Sequence, residues 1–71
     1  MLEWTPEKIK ELRKLYGERQ EDFCKRLGLS LPAYRHWEQG QRDPSGPGRV
    51  LLSRLEEDYY AGRLPGVLQE A

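Results

Sequence analysis

Arg35 and His36 are adjacent side chains that can both donate hydrogen bonds. An arginine can donate two hydrogen bonds to the edge of a guanine, a contact that discriminates between bases by ~1–3 kcal/mol. The imidazole of His36 can hydrogen-bond a base or a phosphate. For Arg35 the alternatives are a phosphate contact or a solvated surface position, and for His36 the alternative is simple exposure.

The chain lacks the residues needed for catalysis or metal binding. Cys24 and His36 are the single cysteine and the single histidine, so the chain can form neither an internal disulfide nor a zinc site. There is no Ser/His/Asp or Cys/His set and no phosphate-binding loop. We therefore expect no enzymatic activity, no cofactor and no metal. We expect Cys24 to be a small core residue, since a redox switch would require an exposed thiol of low pKa.

Two short helix patterns, joined by a tight turn at residues 28–30, position the basic pair. Gly28 can end the first helix, and Ser30 can cap the second. Helices joined by so short a turn must cross steeply, as in a helix-turn-helix, which leaves the second helix exposed to enter a DNA groove. We predict the first helix over residues 20–27 and the second over residues 31–39.

The predicted helix at residues 31–39 has two distinct faces. At ~100° per residue, its aromatic side chains point towards the core. Its polar side chains cluster on the opposite face, together with a proline. The inward residues are Tyr34 and Trp37, and the outward residues are Pro32, Arg35, His36 and Gln39.

Glu38 borders the buried side of this helix, and Arg13 does the same in an earlier predicted helix. That earlier helix is predicted to begin at Thr5 and Pro6 and to end at Gly17. A charge on a buried stripe needs a partner of opposite sign. Arg13 and Glu38 are therefore predicted to form an ion pair.

The second half of the chain is predicted to add one more helix. It runs from Arg49 to Tyr60, after a connector at residues 43–48 that is rich in turn-forming residues. Residues 64–68 could form a short final turn that closes the core or contacts a partner. The apolar stripe of the predicted helix is formed by Leu51, Leu52, Leu55 and Tyr59.

Length and composition are typical of one small globular domain. The 71 residues include 34% charged and 37% hydrophobic side chains. No apolar run approaches the ~20 residues of a membrane span, and we expect a soluble, cytoplasmic protein. We predict a single domain over residues 1–71, with its core in residues 5–60 and a tail or short helix over residues 61–71.

The net charge is zero, although phosphate neutralisation supplies much of the affinity of DNA-binding proteins. Residues 1–42 carry nine basic and seven acidic side chains, and residues 43–71 carry three and five. The basic excess therefore falls in the part that contains the helix pair, which mildly favours a nucleic-acid partner.

Several motifs resemble the Xre/Cro-type helix-turn-helix family of bacterial and phage DNA-binding regulators. The resemblance covers about residues 6–56 and looks most like the subgroup that includes many antitoxins. It implies an all-α, compact four- to five-helix bundle that contains a helix-turn-helix and is lambda-repressor-like. The motifs are QEDFC at 20–24, LGLS at 27–30, WEQG at 37–40 and RDP at 42–44, in unbroken register.

The resemblance also implies roles for individual residues. Gln20 would contact a phosphate at the start of the first helix of the pair, and Ser30 would cap the recognition helix at residues 31–39. Arg13 and Glu38 match a buried ion pair of the family. Residues at or beside positions that meet bases or backbone are Leu31, Pro32, Ala33, Arg35 and His36. Phosphate contacts after this helix are implied for Gln39, Gln41 and Arg42.

Leu31 and Pro32 depart from the family pattern, because many relatives have polar side chains at these positions. Here they could offer only apolar contact, for example to thymine methyl groups. Cys24 replaces a residue that is usually alanine. Direct readout of bases would then rest on Arg35 and His36.

Duplex DNA is the partner that these patterns predict, with the helix at residues 31–39 in the major groove. We also expect a homodimer, because dimers of this class read two half-sites ~34 Å apart. The alternative is a protein-interaction module, such as an antitoxin that binds a toxin through its C-terminal region, with or without DNA binding. Residues that could form a dimer surface or complete the core are Tyr59, Tyr60, Leu64, Val67 and Leu68.

Overall fold

The computed structural model describes residues 4–62, which form four helices and no strand. The predicted all-α fold with a helix-turn-helix is therefore confirmed. None of these helices is long and apolar enough to cross a membrane. The predicted final turn at residues 64–68 lies outside the described residues. The helices are α1 (Pro6–Tyr16), α2 (Gln20–Arg26), α3 (Leu31–Gln39) and α4 (Gly46–Tyr60).

Side-chain caps fix the starts of α1 and α3, as the sequence predicts. The hydroxyl of Thr5 accepts a hydrogen bond from the backbone N–H of Lys8 at 3.2 Å. The hydroxyl of Ser30 accepts one from the N–H of Ala33 at 3.3 Å. Between α2 and α3, Gly28 adopts a left-handed φ of 70°. A side chain would be strained at that φ, so glycine allows the chain to turn there within a few residues.

The start of α4 differs from the prediction, because the helix begins at Gly46 and not at Arg49. The hydroxyl of Ser45 caps it by accepting a hydrogen bond from the N–H of Gly48 at 3.1 Å. Pro47 lies in the first turn, where its missing N–H has no helical partner to lose. The residues that suggest a turn are here also a good helix start, and composition alone does not separate the two.

Gly48 allows α4 to approach α3 closely. It is buried, and a Cβ at this position would lie 2.6 Å from Cη2 of Trp37. No methyl group fits at that distance, and the indole ring is itself part of the core. The first turn of α4 therefore rests directly on the ring of Trp37.

We expect Gly48→Ala to destabilise the domain by about 1–3 kcal/mol, because the new methyl would displace the ring of Trp37 or the start of α4. Gly46→Ala is the matched control in the same helical turn, since a Cβ there would meet nothing within 4 Å. That control should be neutral or stabilising by up to about 1 kcal/mol. The measurement is the free energy of unfolding in urea. Equal stabilities of the two variants would contradict the close approach.

The predicted apolar stripe of α4 is only partly correct. Leu52 is fully buried and Leu55 is half-buried against the core, but Leu51 is exposed. The buried line follows Gly48, Leu52 and Leu55 at helical spacing, and Leu51 lies to one side of it. Within residues 4–62, the buried hydrophobic core is formed by Trp4, Ile9, Leu12, Phe23, Cys24, Leu27, Tyr34, Trp37 and Leu52.

Trp4 is a core residue that no periodic pattern predicts, because it precedes α1. Its indole N–H donates a hydrogen bond to Oγ of Ser53 in α4 at 3.2 Å. The ammonium group of Lys8 lies 5.0 Å from the centre of its ring, within range of a cation–π contact. The hydrogen bond joins the segment before α1 to α4, and the cation–π contact joins it to α1.

Candidate nucleic-acid interface

Aromatic packing holds the inner face of α3. Tyr34 is fully buried, and its ring stands edge-on to that of Phe23 in α2, with the centroids 5.8 Å apart. Trp37 is buried beneath the start of α4. Aromatic rings of this kind bury much apolar surface and prefer fixed angles. The outer face of α3 is therefore presented on a helix whose rotation is restricted.

Glu38 is the buried acceptor for three side chains, and we call these four residues the Glu38 cluster. Arg13 donates to its two carboxylate oxygens, through Nε at 2.7 Å and through Nη2 at 3.3 Å. The hydroxyl of Tyr34 donates to Oε2, and the amide of Gln20 donates to Oε1 at 2.8 Å. The predicted ion pair of Arg13 and Glu38 is confirmed, and the cluster joins α1, α2 and α3.

The hydrogen bonds fix the protonation of the Glu38 cluster. Burial alone would raise the pKa of Glu38, but the hydrogen bonds from Arg13, Tyr34 and Gln20 outweigh it and leave the pKa below its usual value. The hydrogen bond to Glu38 raises the pKa of Arg13. Burial, together with the same carboxylate, raises the pKa of Tyr34. At neutral pH the carboxylate is ionised, and Arg13 and Tyr34 keep their protons.

We expect the domain to lose stability in acid through Glu38. Its pKa in the folded state lies below the ~4.3 of an unfolded chain, so its contribution is complete above that value and is lost as the pH falls through the folded-state pKa. The measurement is the urea midpoint at about pH 6 and about pH 3. Glu38→Gln cannot titrate and should lack this part of the pH dependence. An unchanged acid dependence in that variant would contradict the assignment to Glu38.

The predicted outward residues of α3 lie in solvent. The face offers a guanidinium, an imidazole and an amide beside a proline ring. Leu31 and Ala33 are half-buried, and Leu31 packs against the core. Ser30 is exposed, but its hydroxyl is already engaged in the cap of α3. The exposed residues are Pro32, Arg35, His36 and Gln39.

Gln20 brings the start of α2 beside this outer face. Its Oε1 accepts a hydrogen bond from Nε of Arg35 at 3.4 Å. Gln20 itself is half-buried, because its amide nitrogen points towards Glu38. Two residues that the sequence places on different helices of the pair are thus in direct contact.

Gln41 and Arg42 are held against the end of α3. Gly40 takes a left-handed φ of 78°. The backbone N–H groups of Gln41 and Arg42 both donate to the carbonyl of His36, at 3.0 and 3.3 Å. These bonds fold the chain back over the last turn of the helix. The side chains of both residues are exposed, as is that of Gln39 in the same turn.

Arg19 is a further cation near Gln20 that sequence reasoning missed. It is the N-cap residue of α2, and its exposed side chain pairs with Asp22 at 3.4 Å and with Glu21 at 3.6 Å. Exposed pairs of this kind contribute little to stability, so the guanidinium can exchange them for a phosphate. Its position immediately before the predicted helix start was the signal that could have found it.

A second bidentate ion pair links α2 to the segment that follows α1. Nε and Nη2 of Arg26 donate to the two carboxylate oxygens of Glu18 at 2.8 and 2.6 Å. The same guanidinium lies 4.9 Å from the centre of the Tyr16 ring. The hydroxyl of Tyr16 in turn donates to the carbonyl of Leu55 at 2.7 Å. Helical periodicity could not predict this pair, because Glu18 lies between two helices.

Cys24 is buried in the core, as predicted, and its thiol donates to the carbonyl of Glu21 at 3.4 Å. Within residues 4–62, no group of three His, Cys, Asp or Glu side chains is arranged to hold a metal ion.

A comparison with protein families matches the helix-turn-helix model to residues 9–47, more than half of the chain. The matched stretch includes α2, the turn, α3 and the whole Glu38 cluster. The chain belongs to the Xre/Cro-type helix-turn-helix family. No curated protein and no solved structure matches it.

The helix-turn-helix family is one of DNA-binding regulators and is not typically enzymatic. In a helix-turn-helix protein, the second helix of the pair is the one that reads the major groove. In this chain the second helix of the pair is α3, which carries Arg35 and His36 on its exposed side.

Proposed function

We propose that this helix-turn-helix protein is a cytoplasmic transcriptional regulator that binds duplex DNA sequence-specifically through α3. The observation that carries the proposal is the outer face of α3, where Arg35 and His36 are exposed on a helix whose inner face is fixed by Trp37 and the Glu38 cluster. The major groove admits a helix and shows a distinct pattern of donors and acceptors for each base pair. The bound protein would either occlude a promoter or recruit other proteins to it, and it would not modify the DNA.

Base contacts and phosphate contacts come from different residues in this proposal. Arg35 and His36 reach base edges, and Pro32 offers an apolar contact to a thymine methyl group. Leu31 and Ala33 are half-buried and contribute mainly by allowing close approach. Phosphate contacts orient a protein on the duplex without carrying sequence information. The residues proposed for phosphates are Arg19, Gln39, Gln41 and Arg42, while Ser30 acts through its cap of α3.

Arg35→Ala is expected to weaken binding to a preferred duplex by about 5- to 100-fold, because a bidentate contact to a base is lost. The free energy of unfolding should change by less than about 0.5 kcal/mol, since Arg35 is exposed. Gel shifts at low salt with folded protein provide the measurement. Lys10→Ala, which removes an exposed charge from α1, is the control and should bind as the wild type does. Folded wild-type protein that shifts no duplex at low salt would refute the proposed function.

We also propose that two copies bind DNA together. The side chains of Val50 and Tyr60 in α4 are 61% and 70% exposed, which leaves apolar surface uncovered in one protomer. Arg54 and Glu57 lie about one turn apart on the same helix, so an antiparallel pairing of two α4 helices would place opposite charges together. Duplexes selected from a random pool should then contain two symmetric half-sites ~34 Å apart. Selected duplexes without symmetry, bound by a monomer in sedimentation, would contradict the dimer.

A protein-interaction module is the second candidate function. The zero net charge favours it, and so does the half-buried Leu31 where many relatives have a polar residue. In this candidate, residues 64–71 bind a partner such as a toxin. Co-purification of a small protein, and its loss when residues 64–71 are deleted, would support the candidate. A partner that stays bound after the deletion would contradict binding through the C-terminal region.

A further inference from the structure

Gln20 connects the buried Glu38 cluster to the exposed Arg35. Its Nε2 donates to Oε1 of Glu38 at 2.8 Å, and its Oε1 accepts from Nε of Arg35 at 3.4 Å. One end of a single amide thus faces the core, and the other end faces the surface that we propose to read DNA. No other described side chain makes hydrogen bonds to both Glu38 and Arg35.

The orientation of this amide is dictated by the chemistry of its two neighbours. An ionised carboxylate can only accept hydrogen bonds, and a guanidinium can only donate them. A half-turn of the amide would place Oε1 against Glu38 and Nε2 against Arg35, which is unfavourable at both ends. Gln20 therefore has one orientation that satisfies both partners, and this orientation presents an acceptor to Arg35.

Arg35 keeps its outer donors free while Gln20 holds it. The contact uses the N–H of Nε, and the two terminal nitrogens of Arg35 carry further N–H groups that can pair with a guanine. An unrestrained arginine on a surface loses rotational freedom when it is ordered against a base. A guanidinium that is already held at Nε loses less, and it reaches the base from a defined direction.

We propose that Gln20 is a positioning residue for Arg35 and that it sets the base preference of the protein through that side chain. This inference rests on the proposed function, because it takes Arg35 to contact a base. It differs from the phosphate contact that the family resemblance implies for Gln20. Loss of a phosphate contact weakens binding to all duplexes alike, whereas loss of positioning changes the preference at one base pair.

The test is a set of dissociation constants for a duplex selected by the wild-type protein and for its single-base variants. Arg35→Ala should lower the discrimination at one base pair by about 5- to 100-fold. Gln20→Ala should lower the discrimination at the same base pair by about 3- to 10-fold, and should add nothing once Arg35→Ala is present. The matched control is Gln39→Ala, an exposed amide at the end of α3, which should weaken binding to all these duplexes alike.

Two further measurements keep the inference testable if Gln20→Ala folds poorly. Arg35→Lys keeps the charge, removes the Nε–H from which Gln20 accepts and keeps the hydrogen bonds within the Glu38 cluster, so it should lose the same base preference without a change in unfolding free energy. In the free protein, NMR relaxation of the Nε–H of Arg35 reports how firmly that side chain is held. In the wild type we expect a higher order parameter at Arg35 than at the Nε–H of Arg49, an exposed arginine of α4. Where Gln20→Ala folds, we expect it to lower the value at Arg35.

Three results would overturn the inference. The first is a uniform loss of affinity for all duplexes in Gln20→Ala, and the second is a change of preference at a different base pair. The third is an unchanged order parameter at Arg35 in Gln20→Ala. A wild-type protein that binds no duplex would instead be a failure of the proposed function, and the NMR comparison would then decide whether Gln20 holds Arg35.

Discussion

Trp37→Ala is expected to remove about 3–5 kcal/mol of stability, which is much of the ~4–11 kcal/mol available to a chain of this length. Trp37 is buried on the inner face of α3, and Gly48 at the start of α4 lies directly against its ring. Its removal would leave a cavity between α3 and α4. A domain this small has little stability in reserve, so we expect partial unfolding even without denaturant.

Circular dichroism during urea titration measures the effect of Trp37→Ala on the free energy of unfolding. Tyr60→Ala is the matched control, because it also removes an aromatic ring but from an exposed position on α4. At a protein concentration that keeps the chain monomeric, this control should change the stability by less than about 0.5 kcal/mol. A loss below about 1 kcal/mol in Trp37→Ala would show that the ring does not support the packing of α3 on α4.

Glu38→Ala is expected to cost about 3 kcal/mol, because it leaves Arg13, Tyr34 and Gln20 without their common acceptor. The Glu38 side chain is 3% exposed and that of Arg13 is 18% exposed, so the freed guanidinium regains only part of its hydration. We place the effect at the lower end of the ~3–5 kcal/mol range for buried pairs, since Arg13 keeps some contact with water.

Glu18→Ala provides the comparison for Glu38→Ala. It breaks the other bidentate ion pair, in which the side chain of Glu18 is 22% exposed and that of Arg26 is 23% exposed. The carboxylate of Glu18 is more accessible to solvent than that of Glu38. We therefore expect Glu18→Ala to lower the unfolding free energy by about 1 kcal/mol or less. The measurement is the unfolding free energy of the two variants at neutral pH. A larger loss in Glu18→Ala than in Glu38→Ala would contradict the central role of the Glu38 cluster.

Much of the fold could be predicted because its signals are local. Thr5 and Ser30 indicate helix starts because their side chains can cap a helix. Gly17 and Gly28 indicate helix ends because glycine readily adopts a positive φ. Neither preference depends on distant residues. The ion pair of Arg13 with Glu38 is a long-range contact, but it could be predicted because both charges border buried faces.

The features that escaped prediction depend on the arrangement of helices in three dimensions. The first turn of α4 packs on Trp37 through Gly48, and the turn-forming composition of residues 43–48 does not reveal this contact. Trp4 lies outside any helix, so periodicity could not assign it to the core. The exposure of Leu51 follows from the rotation of α4 about its own axis, which a stripe of four apolar residues leaves undetermined.

The candidate site also combines features that the sequence predicts with features that depend on how the helices pack. The outward face of α3 follows from helical geometry, and the exposure of Arg35 and His36 agrees with it. The contact between Gln20 and Arg35 does not follow, because it requires the crossing of α2 and α3 to bring their polar residues within hydrogen-bonding distance. The DNA contacts themselves stay predictions until binding is measured.

The separation of inner and outer residues on α3 has a consequence for protein engineering. The exposed side chains contribute little to the core. Under the proposed function, a new outer face on α3 would therefore change the duplex that the protein prefers at little cost in stability. Residue 35 is the exception, because the acceptor oxygen of Gln20 faces it. A retargeted variant with an acidic residue there would need a different residue at position 20, and the two positions would have to be redesigned as a pair.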